Sequence, residues 1–250
     1  AANPERAIEI VCDRGVARVV PQAQWDALAA RLGEALRAGR TEAGARAVSS
    51  HTGSLAGANE AYHAAFVQSG VIEAQTVAEL FDMAAALDTQ PLPKGRRVAI
   101  VTNAGGPAAL ASDSLAAHGL TLATLSATTR QTLRGHLNPA AQVDNPVDML
   151  GGAEPQDYAF ALSHTLQDPN VDAVITILVP QALVNPAEVA QRVVETAQIR
   201  RDKPVLACFM GEHSVGQARE VLHQGGIPMY TFPESVGYVL QSMTDYAQWR

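Results

Sequence analysis

The 250-residue chain has little cysteine, no long apolar run and no excess of positive charge. Its two cysteines, Cys12 and Cys208, cannot build a disulfide framework or a cysteine metal cluster. The longest apolar runs, 171–179 and 204–210, are far shorter than the ~20 residues that cross a bilayer, and the first residues lack the apolar region of a signal peptide. With 25 acidic and 18 basic residues, the chain lacks the basic face that binds nucleic acid. We therefore expect a soluble, cytoplasmic protein without nucleic-acid or membrane partners.

Residues 95–250 alternate between short apolar runs and helical patterns. The run 171–179 is apolar at nearly every position, which is typical of a central parallel strand covered on both faces. Strands are predicted over 97–103, 120–125, 171–179, 204–210 and 228–232, and helices over 107–118, 128–137, 155–166, 185–199, 214–223 and 233–249. This order predicts an α/β fold with a flavodoxin-like doubly wound parallel sheet.

Residues 1–92 are less regular and predict a smaller, mainly helical, incomplete α/β segment. Helical spacing is found over 23–37, 59–69 and 77–87. The stretch between the first two is rich in Gly, Ser and Thr and is too polar for a core element. Two prolines in the segment 90–95 indicate a linker. The predicted domains are therefore 1–92 and 95–250.

His51 lies among small polar residues and is followed by Gly53 and Ser54. An imidazole with an ordinary pKa of about 6.5 is mostly neutral at pH 7, and a ring nitrogen can then attack phosphorus. The glycine lets the backbone approach an anion closely. The alternative interpretation is an exposed loop histidine without a role.

A second candidate is the junction between the predicted strand 97–103 and the following helix. Asn103 and the pair Gly105-Gly106 lie there, where the amides of a helix N-terminus can hold a phosphate. The glycines can equally serve only the turn and the close packing of helix on strand. The pattern is neither a P-loop nor a dinucleotide fingerprint.

Two further features bear on the chemistry. Asn145 and Asp148 can line the carboxyl edge of the sheet as an active-site loop, or can form a turn. The remaining histidines show no metal-ligand spacing and no GxSxG motif is present, so neither a metal site nor a serine nucleophile is expected.

Four segments together resemble the NDP-forming acyl-CoA synthetases, relatives of succinyl-CoA synthetase that include the ADP-forming acetyl-CoA synthetases. They are GRTEAGARAVSSHTGSLAG (39–57), VTNAGGPAALASD (101–113), DNPVDMLGGA (144–153) and PVLACFMGEHSVGQAREVLHQGGIPMYTFPE (204–234). The resemblance covers roughly residues 38–250 in order.

This resemblance implies a phosphohistidine relay at His51. Acyl-CoA reacts with phosphate to release CoA, the histidine takes the phosphoryl group from the acyl phosphate, and a nucleoside diphosphate receives it. Gly53, Ser54, Asn103, Gly105 and Gly106 are the implied phosphate-binding residues. Glu9 is the candidate for the acidic partner of the histidine.

The resemblance also implies partners and cofactors that this chain does not itself supply. CoA-binding and ATP-grasp domains or subunits are expected beside it, with ATP/ADP, CoA and Mg²⁺ in a complete, oligomeric enzyme. The chain alone is expected to be inactive. Two alternatives stay open: a regulatory domain that senses acyl-CoA or another small ligand, as in acetyltransferase fusions, and an inert scaffold. The intact His51 favours the ligase.

Overall fold

A computed structural model describes residues 8–13, 16–21, 33–37, 59–182 and 184–250. The chain divides into two compact units, one formed by residues 1–88 with 248–250 and the other by 89–247. Across the described residues, none of the helices has the length and hydrophobicity of a bilayer-spanning segment.

The described part of the first unit contains a four-stranded sheet in the order β1-β2-β3-β4. The β1–β2 and β2–β3 pairs are antiparallel, and β3 and β4 are parallel. The strands are β1 (Ile8–Asp13), β2 (Val16–Pro21), β3 (Gly33–Arg37) and β4 (Val71–Ala74). Helices α1 (Asn59–Ser69) and α2 (Val77–Thr89) lie where helical spacing predicted them.

The helix predicted over 23–37 is wrong for its last residues, because Gly33–Arg37 form β3. The sequence GEALR is rich in helix-forming residues, but β3 pairs with β2 on one side and with β4 on the other. Pairing on both edges overrides the weak local preference. The β1–β2 hairpin was not predicted either, although IEIV and VARVV carry the β-branched residues typical of strands.

The second unit contains a parallel sheet in the order β10-β9-β8-β5-β6. When these five strands are numbered 1 to 5 along the chain, their order across the sheet, taken from β6 to β10, is 2-1-3-4-5. This is the flavodoxin-like order, so the predicted fold is confirmed. The strands are β5 (Arg97–Thr102), β6 (Thr121–Leu122), β7 (Val147–Asp148), β8 (Ala173–Leu178), β9 (Val205–Phe209) and β10 (Met229–Tyr230). The helices are α3 (Gly105–Ala117), α4 (Ala127–His136), α5 (Pro155–Gln167), α6 (Pro186–Ile199), α7 (Gly216–Gln224) and α8 (Ser235–Trp249).

The core of this unit is built around β8 and β9, in which every residue is buried. Apolar residues on consecutive positions of a strand point to both faces of the sheet, so both faces are covered. Cys208 lies in β9 and is fully buried, as expected for a packing residue. Burial, followed by the charge of Glu234, raises its thiol pKa to about 12.

Strand β7 was not predicted. Together with β6 it forms hydrogen bonds with β5 on the side that faces away from β8. β6 pairs with the start of β5 and β7 with its end. Between these two short strands, the amide side chain of Asn145 replaces a neighbouring backbone. Its Oδ1 accepts from the N–H of Ile100 (2.9 Å), and its Nδ2 donates to the carbonyls of Val98 (2.7 Å) and Ala123 (3.0 Å).

We predict that Asn145→Ala lowers the free energy of unfolding by about 2–3 kcal/mol, because it leaves the buried Ile100 N–H without a partner and removes the bonds to the Val98 and Ala123 carbonyls. Urea unfolding of the purified chain measures this. Asn138→Ala is the matched control, since Asn138 is exposed and its Oδ1 accepts only a local bond from Ala140 N–H. The control should change stability by less than about 0.5 kcal/mol. Equal effects of the two substitutions would contradict the role given to Asn145.

The N-terminal end of β5 is held by an ion pair between Arg97 and Asp172. Asp172, which directly precedes β8, accepts three hydrogen bonds from Arg97: from the backbone N–H (3.0 Å), Nε (2.9 Å) and Nη2 (2.8 Å). The Asp172 side chain is 7% exposed and that of Arg97 is 46% exposed. Burial acts to raise the pKa of Asp172, but the hydrogen bonds and the charge of Arg97 outweigh it, and the pKa lies below its usual value.

We predict that Asp172→Asn lowers the free energy of unfolding at pH 7 by about 1–2 kcal/mol, because the charge-assisted hydrogen bonds to Arg97 are lost. The loss is modest because the Arg97 guanidinium is partly exposed and solvent weakens its interaction with the carboxylate. A carboxylate with a lowered folded-state pKa stabilises the fold above its unfolded-state pKa of about 3.9, and this contribution disappears as the pH falls through the folded-state value. Denaturant unfolding at a series of pH values should therefore show the difference shrinking below about pH 4.

The control for this pH series is Glu195→Gln, which removes an exposed carboxylate paired with Arg192 on the same helix. We expect no measurable change from it at any pH, because exposed ion pairs contribute little. If the Asp172→Asn difference stayed constant from neutral pH into acid, the ion pair would not be its cause.

Candidate functional site

The candidate site lies at the carboxyl end of β5. From β5 the chain runs outward to β6 on one side and later returns to β8 on the other, so the strand order reverses between β5 and β8. In open α/β sheets this switch point is where ligands bind, beyond the carboxyl ends of the strands.

Helix α3 begins at this point without a side-chain cap. Its N-cap residue is Ala104, and among the described residues no side chain caps the first turn. Gly105 and Gly106, the first two helical residues, are exposed. The first N–H groups of a helix have no partner within the helix and carry the positive end of its dipole, so this start can receive an anion.

The two glycines have different surroundings. A Cβ atom on Gly105 would lie 3.2 Å from Oδ2 of Asp148, a tight contact. A Cβ on Gly106 would meet no described atom within 4 Å. Neither glycine has a positive φ. Among the described residues, therefore, neither turn geometry nor packing requires glycine at position 106.

Asn103 is held by the main chain rather than free for a ligand. Its side chain is almost fully buried; Nδ2 donates to the Val179 carbonyl and Oδ1 accepts from the Val179 N–H, both at 2.9 Å. Next to it, Thr102 Oγ1 accepts from the Ala104 N–H (3.0 Å). These bonds fix the turn between β5 and α3.

Among the described residues, Asp148 places a carboxylate beside the start of α3. Its Oδ1 accepts from the Leu150 N–H (3.0 Å), while its Oδ2 faces Gly105. A carboxylate beside a helix N-terminus stabilises the helix and repels an anion on its own side. The open approach to the α3 amides is therefore at Gly106.

The structure brings together some of the predicted site residues and separates others. Asn103, Gly105, Gly106 and Asp148 share the start of α3, whereas the Asn145 side chain is used between strands, as described above. His51, Gly53 and Ser54 lie outside the described residues. Of Glu9, the structure describes the backbone, in β1 opposite Val20.

Tyr158, which sequence reasoning missed, lies directly behind this site. It is fully buried, and its hydroxyl donates to the Ile177 carbonyl (2.9 Å). Within the helical pattern 155–166 it is indistinguishable from a packing residue, and no signal in the sequence could have marked it.

These features define a flavodoxin-like domain with an open helix N-terminus at its switch point. Residues 98–249 match the family described as Ligase-CoA domain, and residues 35–87 match the family described as succinyl-CoA ligase like flavodoxin domain. The chain belongs to the Ligase-CoA domain family. The resemblance to the NDP-forming acyl-CoA synthetases is thereby confirmed.

Three similar proteins illustrate this relationship. Over 217 residues the chain is 46% identical to the α subunit of ADP-forming acetate–CoA ligase II of Pyrococcus furiosus, covering 86% of this chain and 47% of that protein. It is 35% identical over 214 residues to the ADP-forming 4-hydroxybutyrate–CoA ligase of Nitrosopumilus maritimus, covering 86% of this chain and 30% of that protein.

The third is a solved structure of acetyl-coenzyme A synthetase 1 of Ca. Korarchaeum cryptofilum, described as dinucleotide-forming and in complex with phosphate and ADP. The TM-score is 0.80 at 33% identity, covering 86% of this chain and 46% of that one. The present chain thus spans less than half the length of each of these proteins.

Proposed function

We propose that this chain is a part or subunit of an NDP-forming acyl-CoA ligase that works through a phosphohistidine at His51. The reaction interconverts acyl-CoA, phosphate and NDP with the free acid, NTP and CoA. The similar proteins described above are ligases, and we therefore favour this function over the regulatory alternative.

One observation supports this function most directly: α3 starts uncapped and exposed at the switch point, with a glycine at 106 that no described neighbour requires. Aligned amides at a helix start stabilise the charge of phosphoryl oxygens without reorganising. The solved acetyl-coenzyme A synthetase to which this chain is similar is in complex with phosphate and ADP.

The proposed chemistry has three steps. A phosphate oxygen attacks the acyl carbonyl carbon, the C–S bond breaks, and CoA leaves as acyl phosphate forms. A ring nitrogen of His51 attacks phosphorus, and the P–O bond to the acyl group breaks to release the acid. A terminal phosphate oxygen of NDP then attacks the same phosphorus, and the P–N bond breaks to give NTP.

The candidate residues have different roles in this proposal, and Asn103, whose side chain binds Val179, supports the turn instead of contacting phosphate through that side chain. The amides of Gly105 and Gly106 hold the phosphoryl oxygens while His51 is being loaded or unloaded. Gly53 and Ser54 contact the phosphoryl group beside the histidine, and Glu9 orients the imidazole. Asp148 closes the side of α3 away from Gly106, and Asn145 supports β5.

The other substrates require partners. CoA-binding and ATP-grasp domains or subunits would hold CoA and ATP/ADP, in an oligomeric enzyme of the cytoplasm. Mg²⁺ would neutralise phosphate charge during transfer to the nucleotide. The ion would lie beside the nucleotide phosphates in the ATP-grasp part.

We predict that His51→Ala abolishes phosphorylation of the chain. The chain is combined with the CoA-binding and ATP-grasp segments and incubated with Mg²⁺ and ATP labelled in the γ-phosphate. Wild type should acquire an acid-labile, base-stable label, and the variant should lose it, with turnover below about one-thousandth of wild type. His223→Ala, which removes an exposed histidine of α7, should retain both. A label that persists in His51→Ala would refute the relay.

A second prediction concerns the glycine pair. Gly106→Ala should leave the melting temperature unchanged or raise it, because alanine favours helix and its Cβ meets no described atom. Gly105→Ala should be less stable than Gly106→Ala by about 1 kcal/mol, because its Cβ presses on Asp148. If the amides bind phosphate, Gly106→Ala should still raise the KM for phosphate about tenfold by keeping the anion away from the backbone.

Calorimetric melting and initial rates in the direction of acyl-CoA consumption measure the two effects separately. A stable Gly106→Ala enzyme with an unchanged KM for phosphate would show that α3 does not receive the anion.

A further inference from the structure

One carboxylate oxygen of Asp148 is directed at the start of α3. The Oδ1 atom accepts from the Leu150 N–H (3.0 Å), and Oδ2 lies 3.2 Å from the position that a Cβ atom on Gly105 would take. Within the part of the chain that the structure describes, Oδ2 accepts no hydrogen bond and no basic side chain pairs with Asp148. This oxygen is therefore available to a ligand at the helix start.

The carboxylate is held in place relative to the helix. The backbone of Asp148 exchanges two hydrogen bonds with that of Gln142, both at 2.9 Å. Asp148 is also paired with Thr102, the last residue of β5, and the N–H of Met149 donates to the Thr102 carbonyl (2.8 Å). Since Leu150 holds one carboxylate oxygen, both the main chain and the side chain of Asp148 are fixed beside the strand that leads into α3.

An ionised carboxylate in such a position has opposite effects on two kinds of anion. It has no proton to donate and can only accept hydrogen bonds. An oxyanion without a proton is repelled, because two negative charges meet at short range. An oxyanion that carries a proton can donate it in a short O–H···O⁻ hydrogen bond, which is stronger than a bond between neutral groups.

Inorganic phosphate and sulfate differ in this respect. The two ions are both tetrahedral and similar in size, but phosphate keeps a proton near neutral pH, as H₂PO₄⁻ or HPO₄²⁻, whereas sulfate keeps none. The amides of Gly105 and Gly106 can donate to either ion and do not distinguish them. The carboxylate can, because specificity arises from repulsion of the wrong ligand as well as from attraction of the right one.

We propose that Asp148 makes the start of α3 selective for an oxyanion that carries a proton: phosphate held by the Gly105 and Gly106 amides donates its proton to Oδ2, and sulfate is rejected. This inference rests on the proposed function, in which phosphate is a substrate. A carboxylate that served only the helix dipole would instead weaken the binding of both ions.

The test is Asp148→Asn in the complete ligase, that is, this chain with its CoA-binding and ATP-grasp segments. Asparagine keeps an oxygen for the Leu150 N–H, but it removes the charge and can donate to an unprotonated oxygen. Initial rates with acetyl-CoA, inorganic phosphate and ADP give the KM for phosphate. Added sulfate gives its inhibition constant against phosphate, with the ionic strength held constant because salt screens charge.

In the wild type we expect the inhibition constant of sulfate to exceed the KM for phosphate at least about tenfold, since a hydrogen bond to a charged group is gained by one ion only. In Asp148→Asn the constant for sulfate should fall about tenfold, because the repulsion is removed. The KM for phosphate should stay the same or rise, because its hydrogen bond to a charged acceptor is lost.

Asp113→Asn is the matched control. It removes the same charge from an exposed position of α3, about two turns after the start of the helix. Both constants should remain unchanged. A wild-type enzyme without turnover would refute the proposed function. An active wild type whose Asp148→Asn variant still discriminates against sulfate, or in which both constants fall equally, would refute the selectivity alone.

A second measurement requires neither turnover nor the partner segments. NMR titrations of the isotopically labelled chain with inorganic phosphate and with sulfate follow the amides of Gly105 and Gly106. In the wild type, phosphate should shift these signals at a lower concentration than sulfate, and the difference should disappear in Asp148→Asn. Sulfate that acts as readily as phosphate on the wild type would overturn the proposal. No shift with either ion would refute anion binding at α3 itself.

Discussion

The structure depends on the need of one buried strand to satisfy its backbone groups. β5 lies between β8 and the edge of the sheet, and on the edge side β6 and β7 cover only its two ends. Buried N–H and C=O groups without partners are costly. Asn145 fills the gap on the outer side, and the side chain of Asn103 binds Val179, the residue that follows β8, on the other. Two side chains thus supply hydrogen bonds that the neighbouring strands do not.

This arrangement explains why the site is at the end of β5 rather than at another strand. The same bonds that satisfy the strand also fix the turn into α3, whose first amides are then left exposed. Asp148 follows from the same geometry, since β7 brings it beside Gly105. Its carboxylate closes one side of the helix start. The side of Gly106 is therefore open to the proposed anion, since no described atom lies within 4 Å of a Cβ built there.

The five main strands of the second unit could be predicted because their apolar runs are continuous and punctuated by glycine and proline. β3 could not, since GEALR favours helix locally and becomes a strand only through its two neighbours. β7 has two residues and carries no periodic signal. At the site, the glycines and Asn103 follow from the motif, but the use of Asn145 and Tyr158 depends on contacts between residues far apart in sequence. The position of His51 as a phosphoryl carrier comes from the family motif and remains a prediction.

An uncapped helix start is normally a weak point, and the chain offsets this by anchoring β5 along its whole length. Arg97 and Asp172 hold the beginning of the strand, Asn145 its middle, and Asn103 its end. With the strand fixed, the turn into α3 is fixed as well, and the first two residues of the helix are exposed. In the proposed function, phosphoryl charge would therefore meet amides that are already in place. The hydrogen bonds that stabilise β5 therefore also hold the start of α3 in the position that the proposed anion binding requires.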